Sequence, residues 1–298
     1  MARRPNSPKP KSMRFTTWIK RPWISSRGNQ RMASNVKFDI PPPRPFTARR
    51  AMFYFVFALL FALSYWAGAA VEFSLPRLIE GVPHMQDFLS RMWPPDMAIL
   101  DRVLTETMLT IQLAWVATVI SAVISLPIGF IAATNVFESQ ALRSGTVFVL
   151  NAIRAVDALI LALFFVSAVG LGPFPGTLAL AIHSVGMLGK LFADAIESID
   201  RGPIEALESA GAGKLAMIRW AIWPQVAPHF ISFFLFRFEL NVRAAVVLGL
   251  VGAGGIGFLL TQYMRLFQYQ KVATVILVIM VLVMVVDYFS SKLRRAVL

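Results

Sequence analysis

Residues 202–224 read GPIEALESAGAGKLAMIRWAIWP, a polar, glycine-broken stretch between two long apolar segments. Gly202-Pro203 opens a short helix, because proline is at home in the first helical turn. Ile204, Leu207 and Ala210 give that helix one apolar side, while Glu205 and Glu208 sit away from it. Gly211 and Gly213 break it, Lys214 is expected to favour its C-terminal end, and a second amphipathic piece leads to Pro224. An ordinary helix lying on lipid headgroups would carry lysines and tryptophans on opposite faces. This stretch does not, and it reads instead as a surface on which another protein pushes.

The surrounding chain belongs in lipid. Apolar residues make up 57% of it, only 15% are charged, and the mean hydropathy of +0.64 is too high for a soluble globule. Residues 1–50 hold 13 Lys/Arg against one acid, Asp39, so this arm carries +12 of the chain's net +13. The arm is rich in Pro and Ser, shows no helical pattern and ends where an apolar run begins. It is expected to be a basic cytoplasmic N-terminal tail held by the positive-inside rule, not a nucleic-acid-binding arm. Cysteine is absent, which excludes disulfides and thiolate metal sites, and His84, His183 and His229 form no ligand spacing.

A spanning helix needs roughly 20 apolar residues, and about six segments qualify. They run over 51–71, 106–133 (with Pro127 and Gly129 expected to kink it), 146–169, 177–196, 230–251 and 272–289. The first could be taken for a secretory leader ending at Ala67-Gly68-Ala69, but its apolar run is too long. Six spans place both termini in the cytoplasm, in keeping with Lys292, Arg294 and Arg295 at the tail. The connection 72–105 then lies on the far side, with five acids against three bases, and Trp93-Pro94-Pro95 reads as a short interfacial segment. The loop 197–228 falls on the side where ATP is found.

Glu205-Ala206-Leu207, Gly211 and Ala221-Ile222-Trp223-Pro224 keep the full spacing of the EAA loop of binding-protein-dependent ABC importer permeases, with Leu207, Ala221 and Trp223 as apolar departures. Residues 179–192, Arg237-Phe238-Glu239-Leu240-Asn241-Val242-Arg243, residues 251–258, Gln270-Lys271-Val272-Ala273-Thr274 and Leu293-Arg294-Arg295 resemble the phosphonate permease subfamily. Together these resemblances cover most of residues 100–298. They imply an all-α integral membrane protein with the type I ABC importer permease (MetI-like) fold, in the bacterial inner membrane. Residues 51–298 would form the permease domain, with the coupling loop at about 200–224. The chain itself would not be an enzyme. It would pair with a second permease subunit, identical or a sister chain, with cytoplasmic ABC ATPase subunits holding ATP and Mg, and with a periplasmic phosphonate-binding protein. The alternative within this class is the same architecture importing phosphite, phosphate or methionine. An ion-coupled secondary transporter is a rival that leaves residues 205–224 unexplained.

Two glycine patterns are decoys. Gly252, Gly254 and Gly257 satisfy G-x-G-x-x-G, but the acid that a dinucleotide site needs is missing at the right distance; the next, Asp287, lies inside an apolar span. Gly252, Gly254, Gly255 and Gly257 are instead expected to form a tight bend linking the last two spans near the outer surface, with a hypothesised share in the outer gate. Gly211-Ala212-Gly213-Lys214 lacks the Ser/Thr of a phosphate loop, since Leu215 follows.

Charges inside spans are costly and mark candidate functional positions. Arg154/Asp157, Lys190/Asp194 and Glu239/Arg243 are each spaced to share a helix face. Arg237, without a local partner, is expected to snorkel. Lys190, Arg237 and Arg243 are candidates to face an anion pathway, with Glu239 beside Arg243 and His183 lining it.

Overall fold

The computed structural model describes residues 48–72, 74–136 and 139–297, with the side chains of residues 48–51 and 75 excepted. The expected basic tail lies outside the described residues, apart from the backbone of its last three. The chain divides into two units, 1–74 and 75–298. In the first, α1 (Ala48–Ala70) is a single helix with aromatic and aliphatic residues on every side. This all-round apolarity is that of a helix meant for lipid or for protein cover.

The second unit holds ten helices among the described residues. They are α2 (Leu75–Arg91), α3 (Leu100–Ala132), α4 (Gln140–Ala155), α5 (Ala158–Val169), α6 (Pro173–Glu197), α7 (Gly202–Ser209), α8 (Lys214–Met217), α9 (Trp223–Gly249), α10 (Gly255–Arg265) and α11 (Tyr269–Val297). A one-turn 3-10 helix precedes α3, and a π-helical turn, Ile218–Ile222, joins α8 to α9.

α3 and α6 run parallel and finish together. Near their shared end the Thr134 amide donates to Glu197 Oε1 (2.9 Å) and Asn135 Nδ2 donates to the Ile196 carbonyl (2.6 Å). Gly129 permits the close approach, since a Cβ there would stand 2.7 Å from that of Phe192. α9 passes back between them, and α11 returns beside α9, with Ser290 Oγ donating to the Leu235 carbonyl at 3.1 Å. The shared core is built largely from small residues, including Ala114, Ala117, Ala158, Ala162, Ala179, Ala181 and Ala245. Helices in lipid gain from packing rather than from escaping water, and such residues bring backbones close. At the far end the Asp96 amide donates to the Gln270 carbonyl and Thr274 Oγ to the Asp96 carbonyl, fixing the starts of α3 and α11 to one another. With 33 residues, α3 separates this far end from the 202–224 hairpin by roughly 50 Å.

Among the described residues, four helices are long and apolar enough to cross a membrane alone, within 52–70, 97–132, 173–197 and 269–297. The expected span 146–169 is corrected: it is two helices, α4 and α5, bent by 82°. Val156 is extended and Asp157 caps α5, its Oδ1 accepting from the Leu159 amide at 2.8 Å. Arg154 and Asp157 therefore do not share a helix face. The span expected at 230–251 is the 27-residue α9, whose Arg237, Glu239 and Arg243 keep it off that apolar set. Pro127 and Gly129 do not interrupt α3. The connection 72–105 contains a full helix, α2, where only a short interfacial segment at Trp93-Pro94-Pro95 was expected.

Candidate functional site

The 202–224 hairpin caps the end where α3 and α6 finish. α7 begins with Pro203 in its first turn, and Asp200 Oδ1 accepts from the Gly202 amide at 3.1 Å. It ends in a Schellman turn. The Gly211 amide donates to the Glu208 carbonyl (2.9 Å) and the Ala212 amide to Leu207 (3.0 Å), with Gly211 at φ +74°. A side chain in that left-handed conformation is strained, which is why glycine suits the position. Ile204 and Leu207 are half-buried, and Ile204 packs against the cluster of Phe192, Ile196, Ile222 and Phe230. Glu205, Ala206, Glu208, Ser209 and Ala210 remain exposed.

Lys214 is corrected: it starts α8 and does not close α7, because Gly213 is extended (ψ 162°) and resets the chain before it. Pro224 lies just after the π turn, in which the Trp223 amide donates to the Ile218 carbonyl. The widened turn accommodates a residue that has no amide hydrogen to give. Gln225 ties the hairpin shut. Its Oε1 accepts from the Asp200 amide (3.0 Å) and its Nε2 donates to the Asp200 and Ala221 carbonyls. A cavity of about 360 Å³ lies between the hairpin and the α3–α4 loop, lined by Asn135, Ile204, Glu208, Lys214, Leu215 and Ile218 among others. Leu215 itself is 83% exposed. The result is an exposed hairpin whose two ends are tied together through Gln225. Gly211–Lys214 is a helix end followed by a new helix start, not a phosphate cradle.

The polar residues of the bundle form two clusters, with the Lys190–Asp194 pair and His183 outside both. Arg237 does not snorkel: it is 5% exposed, because α6 supplies partners inside the bundle. Its Nε donates to Ser184 Oγ at 2.8 Å, with Met187 Sδ 3.1 Å from a terminal nitrogen. Ser184 Oγ donates to Asn241 Oδ1 (3.0 Å), and Asn241 Nδ2 donates to Thr118 Oγ1 (2.9 Å). One polar chain thus stitches α3, α6 and α9 together. Arg237 is enclosed in this conformation and lines no open surface.

The second group joins α9 to α11. Glu239 and Arg243 pair at 3.0 Å, as the spacing suggested, but Arg243 also holds Asp287 and Arg294 holds Glu239 at 3.0 Å. Asp287 and Arg294 were not singled out from sequence for this role, since their partners lie 44 and 55 residues away. Lys190 pairs with Asp194 at 2.7 Å, and both remain substantially exposed. His183 Nδ1 sits 3.1 Å from the Val156 carbonyl, at the α4–α5 break.

The glycine bend is also corrected. It joins α9 to an additional helix, α10, and is interlocked with other elements below the bundle's far end. The Gly172 amide donates to the Gly252 carbonyl (3.0 Å), and the Ile256 amide donates to Thr110 Oγ1 (2.9 Å). Thr110 is ten residues into α3, about 15 Å from its start. Gly252, Gly254 and Gly255 all have positive φ. Gly257 is where α10 crosses α9, since a Cβ there would meet the Val246 carbonyl oxygen at 1.9 Å.

Comparison with known proteins matches residues 125–298 to the family described as "Binding-protein-dependent transport system inner membrane component". The phosphite transport system permease protein PtxC of Stutzerimonas stutzeri is 42% identical over 218 residues, 73% of this chain and 79% of the relative. The phosphate-import permease protein PhnE of Mycolicibacterium smegmatis is 40% identical over 232 residues, 77% of this chain but only 43% of the longer relative. Among solved structures, an inward-facing MetNI methionine ABC transporter superposes with a TM-score of 0.60 at 22% identity, covering 70% of this chain and 100% of that one. At that identity the likeness speaks for the fold alone.

Proposed function

The chain belongs to the binding-protein-dependent inner-membrane transport components, as a permease of the phosphonate, phosphite and phosphate group, and we propose that it moves phosphonates across a bacterial inner membrane. It is a multi-pass membrane protein with a type I ABC importer permease fold. An ATPase and a substrate-binding protein are its implied partners.

The observation that carries the mechanism is the pinned hairpin. α7 offers Glu205, Ala206, Ser209 and Ala210 outward, while Gln225 and Ile204 hold it to the bundle. Closing the ATPase around α7 would move a rigid lever whose far side bears on the ends of α3 and α6. A helix docked in a moving cleft biases a two-state bundle through differential contacts. In this reading ATP and Mg bind on the ATPase subunit, and this chain transmits force without catalysing a reaction. The hairpin lies in the cytoplasm with both termini, following the uneven distribution of positive charge. Residues 1–50 form a basic tail there, and residues 51–298 form the permease domain. A second permease, identical or a sister chain, completes the pathway.

Lys190 and Arg243 are the exposed cations of the pathway-side hypothesis, and Arg237 and His183 become accessible only if α6 and α9 shift. A mildly positive path would favour a phosphorus oxyanion without trapping it. The glycine bend belongs to the gate in the same hypothesis. Phosphite is a second reading, favoured by the 42% identity to PtxC. Uptake of labelled phosphonate and phosphite into vesicles carrying the whole transporter tests both. ATP-dependent uptake of phosphonate is expected; uptake that survives ATP depletion would overturn the importer reading.

A further inference from the structure

Arg237 differs from the other cations of the bundle in the company it keeps. Lys190, Arg243 and Arg294 are partly exposed, and each holds a carboxylate. Arg237 is almost wholly buried and holds none among the described residues. Its partners are neutral: Ser184 Oγ on Nε at 2.8 Å and Met187 Sδ on Nη1 at 3.1 Å, while Nη2 has no acceptor among the described residues. A buried charge without a counter-charge bears its full desolvation cost. The fold does not need that charge, because Ser184, Asn241 and Thr118 link α6, α9 and α3 without it. A cation kept inside a helical bundle at such cost marks a functional position.

Its surroundings say what completes it. Thr118, Ser184 and Arg237 stand near the middle of helices of 33, 25 and 27 residues. Beside Ser184 in α6, His183 reaches the Val156 carbonyl at the 82° break between α4 and α5. In many transporters the substrate sits at this depth, beside a discontinuous helix. The outer edge of the guanidinium selects the class of ligand, since Nη1 and Nη2 form a planar fork that matches two oxygens of one oxyanion. Met187 fills half of that fork with a thioether, a weak acceptor on a flexible, unbranched side chain. Met187 is itself only half-buried. A phosphoryl oxygen is the stronger acceptor, so it displaces the sulfur.

We infer that Arg237 is the oxyanion site of the permease, holding one phosphonate or phosphite ion during passage, and that Met187 is the cap this ion displaces. This rests on the importer reading above. Ser184 is the hydroxyl that shares the ion. Lys190 and Arg243 are already paired with acids, so the direct contact falls to Arg237.

The test uses the complete transporter, with its ATPase and binding protein, in proteoliposomes, and takes methylphosphonate and phosphite as probes. Arg237→Met should melt at the parent's temperature or above it, because a buried charge is gone. Yet ATP-driven uptake should fall by at least about tenfold, the loss expected when a charged hydrogen-bond donor is withdrawn. A lower melting temperature would make Arg237 a structural tie and overturn the site, as would uptake equal to the parent's. Met187 gives a readout independent of transport. The chain has no cysteine, so Met187→Cys sets a single thiol over the fork, to be labelled with a small methanethiosulfonate and read on this chain after electrophoresis. A saturating probe should slow that labelling several-fold and leave Leu215→Cys, on the hairpin, unaffected. The protection should vanish when Met187→Cys is combined with Arg237→Met. A thiol that never reacts, or one that neither probe protects, would overturn the cap and the site. Uptake without protection would remove the site and leave the importer; protection without ATP-driven uptake in the parent would remove the importer reading and leave an anion site.

Discussion

Replacing Gly211 by alanine adds one methyl group at a place where nothing stands within 4 Å, so the substitution perturbs only the backbone. The position has φ +74°, where an L-residue costs roughly 1–2 kcal/mol. At about 1.4 kcal/mol per factor of ten, the docking-competent shape of α7 should fall roughly five- to thirtyfold relative to frayed alternatives. Gly213 is the matched control. It too has no neighbour within 4 Å, but its φ of −72° suits any residue, so Gly213→Ala should behave like the parent. The assay is ATP-driven uptake and ATP hydrolysis by the reconstituted transporter, together with the affinity of the permease for its ATPase. Gly211→Ala should weaken ATPase association and lower uptake, while the melting temperature of the bundle stays nearly constant because α7 buries little. Equal behaviour of the two variants, whether both impaired or both normal, would refute the argument from the left-handed turn.

Other outcomes follow from the two polar groups. Arg294→Ala leaves the nearly buried Glu239 carboxylate with one arginine instead of two; because the Arg243 pair survives, the cost should be about 1–3 kcal/mol, that of one hydrogen bond withdrawn from a charged group, read as a drop in detergent melting temperature with partial recovery in Arg294→Lys. Asn241→Leu removes the link between Thr118 and Ser184 and should cost about 1–3 kcal/mol. Thermal unfolding checks the size, and Ser184→Ala combined with it should cost less than the sum, because one chain is being broken twice. Gly257→Ala should prevent stable folding at the α9–α10 crossing, seen as loss of a monodisperse peak in size-exclusion chromatography.

The hairpin was legible because its signals are local. Pro203 at a helix start, Gly211 at a helix end and the apolar pair Ile204 and Leu207 all act within a few residues, so spacing alone located them. The broken α4–α5 span is not, because apolar composition hides a cap; Asp157, the one acid in that stretch, is the available signal, but its spacing from Arg154 suggests an ion pair instead. α10 was missed because the glycines at 252–257 suggest a bend, and a bend does not reveal that a helix follows. α2 carries Pro76, Gly81 and Pro83, which mask its amphipathic spacing. The burial of Arg237 is hidden from the sequence for a different reason. Its fate is set by Ser184, 53 residues away, and a sequence shows a charge without showing the acceptor that makes its burial tolerable. Likewise Arg294 was read as a tail charge that sets orientation, although it also neutralises Glu239.

Because the chain has no cysteine, a single introduced thiol reports the side of the membrane on which it lies. Ala206→Cys, on the exposed face of α7, should react with a membrane-impermeant maleimide only in inverted vesicles, and the assembled ATPase should shield it. Labelling of that thiol from outside intact cells, or equal labelling with and without the ATPase, would contradict the force-transmitting hairpin on which the account depends.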